Sequence, residues 1–521
     1  MRYPMGWAVA AAATVLASGC GSADSPPAPA PELTGRLTVV VAVVDSLMPH
    51  EITAATPRLS ALRAAGTFYE ESRSVFIAET IPNHVAMMTG VTPSRSGIFS
   101  NDYLDFSTDP PEELDLSAPE KLTANTLFTW IDRQCGSGAT EVRTGATLSK
   151  KYLFEVFNGD AADPGRDNEA PGVFNVQPDS YWDPEDSGAY IPSPSEHTPD
   201  TPTMDQALAQ LPDVDFHFIN LGDVDRLAHA SGEQARSAAL AEADAQIGRL
   251  VDALMAAGRW DSTVLIVLSD HGMDYSPAGP AAAISTQAML DALGACFEPM
   301  QAIVSGEGSE SIYVLERSAP LADRQAALRG ARACLLGTQD CATLCPGATR
   351  PLNAGNIATA WYNADDALDA DGAMPASVQS RHPQAGDLVL AAADGHKFAE
   401  PNALDSSGQI PGNHGHPVTF HNTVLVTGGS PWVRQGASVA PSAAPPDPPT
   451  VEWYLTRLPE QAETLDVAPT VAWLLGLQVP EEAFPDYAER GKGFDGRVLT
   501  EAFTQFDAGA AAPPPTVCGR F

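Results

Sequence analysis

The hydroxyl group of Thr80 stands next to a segment whose residues predict the start of a helix. Pro82 has a fixed φ and no backbone N–H, so it suits a first helical turn, and the apolar residues after it can continue the helix to Gly90. Thr80 would then lie beside unpaired backbone N–H groups and the positive end of a helix dipole, where a phosphoryl oxygen is stabilised. Thr80 is therefore a candidate nucleophile, although a threonine in this setting is more often a plain helix cap.

Aspartate and histidine side chains directly follow two β-rich segments. Asp45 comes after residues 37–44, and the pair Asp270 and His271 comes after residues 263–269. A single aspartate after a strand is usually a turn residue or a cap. Two adjacent metal-capable side chains at a strand end are costly unless they coordinate something, so these residues are candidate metal ligands.

Three further side chains extend this set of candidate ligands. Asp225 and His229 are four residues apart and would share one face of a helix, while His414 lies in a glycine-flanked loop that can approach a site. The complete set contains three histidines, and the remaining candidates are carboxylates. This mixture suits zinc better than magnesium or calcium, which prefer oxygen ligands.

The elements that must position these residues are predicted by three apolar, β-branched runs. The pattern of a buried parallel strand occurs three times, in residues 37–44, 214–221 and 263–269. Between the last two, residues 234–255 carry apolar side chains at helical spacing. Strand, helix and strand in this order indicate an α/β fold. Ligands in such folds lie beyond the carboxyl ends of the strands, so the acidic residues found there should converge.

The formal net charge of -37 argues against a protein that binds nucleic acid or an anionic membrane. A protein that binds duplex nucleic acid or an anionic membrane surface needs a basic face, which this composition does not favour. If the substrate is a phosphate ester, bound divalent metal ions would offset the negative field locally.

The first 34 residues have the pattern of an exported protein. A short basic start and an apolar run predict a signal peptide over residues 1–19, and Cys20 is the candidate lipidated N-terminus of a bacterial lipoprotein. Residues 20–34 are rich in proline and would form a semi-rigid tether. The alternative is an ordinary signal peptide with an incidental cysteine. We expect membrane contact only through Cys20, in the periplasm or at the cell surface.

Six further cysteines suit an oxidising compartment. Their number allows up to three disulfide bonds, with a pairing that the sequence does not define. A zinc cluster built from three of them is the alternative, but no Cys-x-x-Cys occurs and no histidine lies nearby, which favours disulfides. The six residues are Cys135, Cys296, Cys334, Cys341, Cys345 and Cys518.

The order of motifs along the chain resembles the nucleotide pyrophosphatase/phosphodiesterase (type I phosphodiesterase) branch of the alkaline phosphatase superfamily. The resemblance runs from about residue 37 to about residue 502 and rests on the ordered set rather than on one motif. It implies an alkaline-phosphatase-like α/β sandwich, with a central, mostly parallel sheet flanked by helices and an inserted cap subdomain. The set comprises Asp45, Thr80-x-Pro-Asn-His, Gly97-Ile98-x-x-Asn101, Asp225-x-x-x-His229-x-x-Gly232, Asp270-His271-Gly272-Met273 and His414-Gly415.

The resemblance implies a site with two Zn²⁺ ions. Thr80 would attack phosphorus to give a phosphothreonine, and Asn101 would hydrogen-bond a non-bridging phosphoryl oxygen. His416 and His421 match no ligand position and are interpreted as supporting or structural residues. One zinc ion would be held by Asp225, His229 and His414, and the other by Asp45, Asp270, His271 and the Thr80 oxygen.

The substrate class depends on Lys150. Monoesterases and phosphonate hydrolases of the superfamily place a lysine after the nucleophile, and Lys150 matches it in about the right place. Tyr152 departs from the basic residue that often accompanies this lysine, and Lys150 and Lys151 would alternatively be a solvent-exposed pair. We favour a phosphodiesterase or nucleotide pyrophosphatase acting on a small phosphate ester, with a monoesterase or phosphonate hydrolase as the alternative.

Two other functions are less compatible with the residues. A sulfatase of this fold needs Cys or Ser where Thr80 stands. A non-catalytic, metal-stabilised surface lipoprotein would not need every ligand position and the nucleophile position to be filled.

The predicted domain organisation divides the catalytic core in two. Residues 35–274 and 401–505 form the core, residues 275–400 form a cap that shapes substrate choice, and residues 506–521 form a tail. Residues 311–315 and 387–390 are predicted cap strands. The composition of residues 435–450 and 508–515 predicts mobile segments.

Overall fold

The computed structural model describes most of the chain. The predicted signal peptide, Cys20, nearly all of the tether and residues 508–515 lie outside the described residues. The described ranges are 33, 35–136, 141–158, 174–193, 195–275, 282–294, 297, 300–305, 307–338, 356–363, 372–375, 378, 381–399, 411–446, 449–477 and 493–506.

A seven-stranded sheet in the order β15-β2-β14-β7-β1-β6-β5 organises the structure. Only β14 runs antiparallel to its neighbours, so the predicted central, mostly parallel sheet is confirmed. These strands are β1 (Thr38–Val44), β2 (Thr67–Arg73), β5 (Thr144–Leu148), β6 (Phe216–Leu221), β7 (Thr263–Leu268), β14 (His421–Thr427) and β15 (Ala437–Val439).

Both faces of this sheet are buried, which explains the unbroken apolar run in β1. Val39, Val41 and Val43 point into one apolar cluster. The alternate residues Val40 and Val44 point into a second cluster on the opposite face. Since side chains alternate along a strand, a sheet covered on both faces needs apolar residues at every position.

The helices lie mainly around this sheet. The longest, α7, joins β6 to β7 as predicted, but it begins earlier than residue 234 and is interrupted at Gly232, where φ is 74°. The helices are α1 (Pro57–Ala65), α2 (Thr80–Thr89), α3 (Pro93–Ser96), α4 (Leu127–Cys135), α5 (Lys151–Asn158), α6 (Asp200–Gln210), α7 (Asp223–Ala256), α8 (Thr286–Gly294), α9 (Leu321–Leu335), α10 (Val451–Leu455) and α11 (Val467–Leu475).

A second sheet lies within the predicted cap, in the order β11-β12-β10-β9, and all its pairs are antiparallel. The helices α8 and α9 contribute to its apolar core. Both predicted cap strands are present as β10 and β12, while the domain boundaries stay predictions. The remaining strands are β3 (Asp102–Asp105), β4 (Glu112–Asp115), β8 (Ala283–Ile284), β9 (Met300–Ser305), β10 (Ser309–Val314), β11 (Ile357–Tyr362), β12 (Leu388–Ala392) and β13 (Lys397–Phe398).

The segment predicted to be mobile, residues 435–450, contains a strand of the central sheet. Strand β15 falls in this range and pairs with β2, because its backbone completes the edge of the central sheet. Of the six cysteines, Cys135 and Cys334 are described and both are buried, while their pairing stays a prediction. Within the described residues, no helix is long and apolar enough to cross a membrane.

Candidate functional site

Thr80 is the first residue of α2 rather than a residue before it. Glu79, in an extended conformation, is the cap, and the helix ends at Gly90 with φ 67°. The Thr80 side chain is buried. Its Oγ1 atom lies 3.4 Å from Nε2 of His271 and 3.3 Å from Nζ of Lys150. The predicted nucleophile therefore lies at a helix N-terminus, between an imidazole and an ammonium group.

Asp225, His271 and His414 form one group of buried side chains, with ligand-capable atoms within 4.8 Å of one another. The rings of His271 and His414 stack with centroids 3.8 Å apart. His229, one helical turn after Asp225, places its Nε2 atom 3.5 Å from the Asp225 Oδ1 atom. Three of the predicted ligands thus form one cluster, with His229 next to Asp225 at its edge.

Asp45, Asp270 and His84 form a second buried group with the same spacing. His271 also borders this group, because its Nε2 atom lies 3.4 Å from Asp270 Oδ2 and 3.8 Å from Asp45 Oδ1. The fold therefore brings the predicted ligands together near the carboxyl ends of β1, β6 and β7. The grouping differs from the one that the resemblance implies, because His271 clusters with Asp225 and His414 and only borders Asp45 and Asp270.

His84 was not predicted as a site residue. Its Nδ1 atom lies 2.8 Å from the Thr80 carbonyl oxygen, and its Nε2 atom lies 3.1 Å from Nδ2 of Asn220. Both ring nitrogens thus have partners, and the ring fixes the first turn of α2 under Thr80. The spacing of four residues between Thr80 and His84 was the available signal, since it puts both on one face of a helix.

The carboxylates have the properties of cation ligands. One oxygen on each of Asp45, Asp225 and Asp270 is buried and has no hydrogen-bond partner among the described residues. Burying a carboxylate in this way is costly unless a cation compensates it. The Nδ1 atoms of His271 and His414 lie 2.9 Å and 2.8 Å from backbone carbonyl oxygens. When Nδ1–H donates there, Nε2 keeps the lone pair that a metal ion needs, so the residues fit a metal site.

The electrostatics of the site follow from its burial. Burial, reinforced by Asp270, raises the pKa of Asp45 to about 7. Burial likewise raises the pKa of Asp270 to about 6 and lowers that of His84 to about 4. Burial opposes ionisation of Asp225 as well, but the Lys150 charge holds its pKa well below the usual range. The site thus holds excess negative charge that a bound cation would stabilise.

Lys150 is buried in the centre of the site, so the solvent-exposed alternative is wrong for this residue. Its Nζ atom lies 2.8 Å from Asp45 Oδ2 and 2.9 Å from Asp225 Oδ2. Gly222 packs against this segment, because a Cβ atom there would lie 2.6 Å from Ser149 Oγ and 3.3 Å from Lys150 Cε. Lys151, in contrast, points away and pairs with carboxylates at the surface.

Asn101 lies beside the start of α2. Its Oδ1 atom accepts the backbone N–H of Ile81 at 2.9 Å. Glu79 fixes the preceding backbone, because its Oε2 atom accepts hydrogen bonds from Asn101 N and Ser100 Oγ, both at 2.9 Å. With Oδ1 engaged, the Asn101 amide nitrogen is the donor that a phosphoryl oxygen could use.

The cap strand β10 begins against the loop that carries His414. The backbone N–H of Gly308 donates to the His414 carbonyl at 2.7 Å, and the Ser309 hydroxyl donates to the Gly415 carbonyl at 2.6 Å. In the same loop, Nε2 of His416 lies 3.1 Å from Oδ2 of Asp274. The cap therefore helps to position a candidate metal ligand, and His416 supports that contact.

His421 lies apart from the site. It begins β14, and its ring pairs with Glu71 at 3.4 Å where the side chain is partly exposed. Of the two interpretations left open for it, the structural one fits this position.

Comparison with known proteins identifies the same family as the motifs. The family model described as type I phosphodiesterase / nucleotide pyrophosphatase matches residues 39–417. Ectonucleotide pyrophosphatase/phosphodiesterase family member 1 of Rattus norvegicus is 27% identical over 233 residues, which are 42% of this chain and 22% of the rat protein. A bis(5'-adenosyl)-triphosphatase of Bos taurus is 26% identical over 221 residues, 42% of this chain and 43% of that protein. The matches thus span less than two thirds of these relatives.

A solved structure shows the same fold over nearly the whole chain. An inactive form of murine ectonucleotide pyrophosphatase/phosphodiesterase 5 in complex with AMP superposes with a TM-score of 0.58. The superposition covers 90% of this chain and 100% of the murine chain at 14% sequence identity. At this identity, the likeness shows the alkaline-phosphatase-like fold alone.

Proposed function

This chain belongs to the type I phosphodiesterase / nucleotide pyrophosphatase family, and from that premise we propose that it hydrolyses a phosphodiester or pyrophosphate bond of a small, nucleotide-like phosphate ester. The reaction passes through a phosphothreonine at Thr80. The observation that carries the proposal is the position of the Thr80 hydroxyl, which lies at a helix N-terminus and 3.4 Å from Nε2 of the candidate ligand His271.

In the proposed phosphoryl transfer, Thr80 is the nucleophile and Asn101 binds the phosphoryl group. Thr80 Oγ1 gives up its proton to water and attacks phosphorus in line, so that an O–P bond forms as the bond to the leaving group breaks and the leaving oxygen takes up a proton from water. Asn101 donates its amide to a non-bridging oxygen. Water then cleaves the phosphothreonine and restores the hydroxyl group.

Two Zn²⁺ ions complete the proposed site. When bound, zinc would lower the pKa of the Thr80 hydroxyl and neutralise charge on the phosphoryl group. The orphaned oxygens of the three aspartates and the available Nε2 atoms of the histidines support this assignment. One ion would be held by Asp225, His229 and His414, and the other by Asp45, Asp270, His271 and Thr80.

A phosphomonoesterase or phosphonate hydrolase is the second candidate function, and Lys150 favours it. Its buried ammonium group lies 3.3 Å from Thr80 Oγ1, within reach of an oxygen on a bound phosphoryl group. A monoester carries one more negative charge than a diester, so a fixed cation at this point would stabilise it preferentially.

The deciding experiment compares rates on bis-p-nitrophenyl phosphate and p-nitrophenyl phosphate, with chelator and after zinc is restored. We expect a zinc-dependent preference for the diester. A preference for the monoester would assign the protein to the second function. Absence of zinc-dependent hydrolysis with both compounds and with a dinucleotide panel would overturn both and favour a non-catalytic lipoprotein.

We also propose that the protein is exported and anchored by a lipid on Cys20, with disulfide bonds among the other cysteines. The leader and tether pattern supports the first point, and the even number of the remaining cysteines supports the second. Fractionation of cells that express the wild type and Cys20→Ser tests the anchor, because the variant should leave the membrane fraction.

A further inference from the structure

A buried arginine that was not predicted as a site residue contacts two of the turns that carry the candidate metal ligands. Arg236 lies on α7 after the interruption at Gly232, and its side chain is 1% exposed. Burying a guanidinium group is costly unless its donors are satisfied. The arrangement of these donors shows what the group holds in place.

The first contact is with Ser46, the residue after Asp45. Ser46 adopts the left-handed conformation with φ 61°, which is unfavourable for a residue with a Cβ atom. Arg236 Nη2 donates to the Ser46 carbonyl oxygen at 2.6 Å, and Nη1 donates to its hydroxyl at 2.7 Å. The backbone N–H of Ser46 donates to Asp270 Oδ1 at 3.0 Å. Arg236 thus stabilises a strained residue that joins two candidate ligands of the second group.

The second contact is with Glu51, which fixes the guanidinium group itself. Nε of Arg236 lies 2.7 Å from Oε1 of Glu51, and Nη2 lies 2.7 Å from Oε2, so the two side chains form a bidentate ion pair. The same carboxylate accepts the backbone N–H of Met48 at 2.8 Å. Glu51 therefore anchors both Arg236 and the turn that follows β1.

The third contact is with the turn that carries Asp225. Nη1 of Arg236 lies 3.5 Å from the carbonyl oxygen of Val224, the residue before Asp225. One guanidinium group thus contacts the residue after Asp45 and the residue before Asp225, which belong to the two different ligand groups.

We propose that Arg236, anchored by Glu51, is a positioning residue that sets the geometry of the Asp45 and Asp270 pair relative to Asp225. The inference rests on the proposed function, because these three residues are ligands only if the site binds metal. Supporting residues around metal ligands commonly change metal affinity by about 10- to 100-fold. Loss of Arg236 should therefore weaken metal binding even in protein that remains folded.

The test measures zinc content after dialysis, the rate of zinc release to a chelator and the visible spectrum of the cobalt-substituted protein. Arg236→Met should release zinc about tenfold faster or more and should alter the cobalt spectrum. Arg249→Met is the control, because Arg249 lies on the same helix and pairs with Asp205 at the surface. The double variant Ser46→Gly/Arg236→Met should recover part of the zinc affinity, because glycine adopts positive φ without support.

The outcomes separate the two proposals. Wild-type protein that binds no zinc overturns the proposed function and this inference with it. Wild-type protein that binds zinc, with an Arg236→Met variant that is folded and has the same release rate and cobalt spectrum, overturns this inference alone. If Arg236→Met does not fold, Glu51→Gln decides, because it should shift the release rate in the same direction by a smaller factor, and an unchanged rate overturns the inference.

Discussion

The Nζ atom of Lys150 lies 3.3 Å from the Oγ1 atom of Thr80. The same ammonium group lies within 3 Å of Asp45 and Asp225, one carboxylate from each ligand group. A cation at this position can stabilise the charge on a phosphoryl group that Thr80 attacks. Lys150 therefore bears on which ester the site prefers.

Replacing Lys150 should change substrate preference as well as rate. Lys150→Met should lower kcat/KM for p-nitrophenyl phosphate by about 10- to 100-fold, because a hydrogen bond to a charged group is worth about 1.5–3 kcal/mol. The diester rate should fall less, since a diester carries one negative charge fewer. Lys151→Met is the matched control, because Lys151 pairs with surface carboxylates. Equal losses with both esters would remove Lys150 as a determinant of preference.

Replacing Thr80 tests the nucleophile directly. Thr80→Ala should reduce hydrolysis on the order of 10³-fold or more, because no hydroxyl remains to form the covalent intermediate. Thr80→Ser should retain part of the activity and should still yield a phosphorylated peptide when the reaction is quenched in acid. Thr89→Ala, at the other end of α2, removes a hydroxyl whose partners are the Val85 carbonyl oxygen and the Val91 backbone N–H, and it should retain activity. Wild-type rates in Thr80→Ala would disprove the nucleophile.

The positions of the candidate ligands could be predicted because parallel strands bring their carboxyl ends together. That rule connects Asp45 and Asp270 although they lie far apart in the chain. The rule on strand ends does not predict the surroundings of a side chain that enters the site from a helix or loop. Lys150 precedes a helix, where a lysine is usually exposed, and its burial depends on ion pairs with Asp45 and Asp225, which come from other elements. The role of His84 depends on tertiary contacts to Asn220, which the sequence pattern does not contain.

Metal removal should lower stability by an amount that depends on the logarithm of the free zinc concentration relative to its Kd. Zinc at about 100 times its Kd stabilises a folded protein by ~2.7 kcal/mol, so chelator should lower the Tm and zinc should restore it. Asp225→Asn should lose most of this response, since it removes a carboxylate shared with His229 and His414. Asp252→Asn, an exposed position on α7, should respond like the wild type. A Tm that is insensitive to chelator and zinc in protein of known metal content would contradict the metal site.

Gly232, which interrupts α7, should matter for the site, whereas Gly258, which follows the end of α7 and has a similar φ, should not. Gly232 and Gly258 have φ of 74° and 66°, and a Cβ atom at either would meet no heavy atom within 4 Å. Alanine should therefore cost backbone strain at both positions: about 1–3 kcal/mol at Gly232, whose ψ of -164° lies in a region essentially restricted to glycine, and about 1–2 kcal/mol at Gly258. Only Gly232→Ala should also weaken zinc binding, because Gly232 lies between His229 and Arg236. Equal zinc affinity in the two variants would show that the interruption does not position the site.

The cap contains a buried acid that should make stability depend on pH. Glu310 on β10 is fully buried, and burial raises the pKa of its carboxyl from 4.5 to about 8, although a hydrogen bond from Thr286 opposes the shift. In the unfolded chain this carboxyl ionises near its ordinary pKa. The folded state therefore holds a proton that the unfolded state has lost, and stability falls as the pH rises from about 4.5 to about 8.

Glu310→Gln should remove this loss. Each unit of pKa shift corresponds to about 1.4 kcal/mol, so the variant should be more stable than the wild type by a few kcal/mol at about pH 9. It should show little gain at about pH 5, where the wild-type carboxyl is protonated in the folded state. Chemical denaturation at both pH values measures the difference, with the exposed Glu316→Gln as the control. The same gain at both pH values would show that packing, rather than ionisation, accounts for the effect.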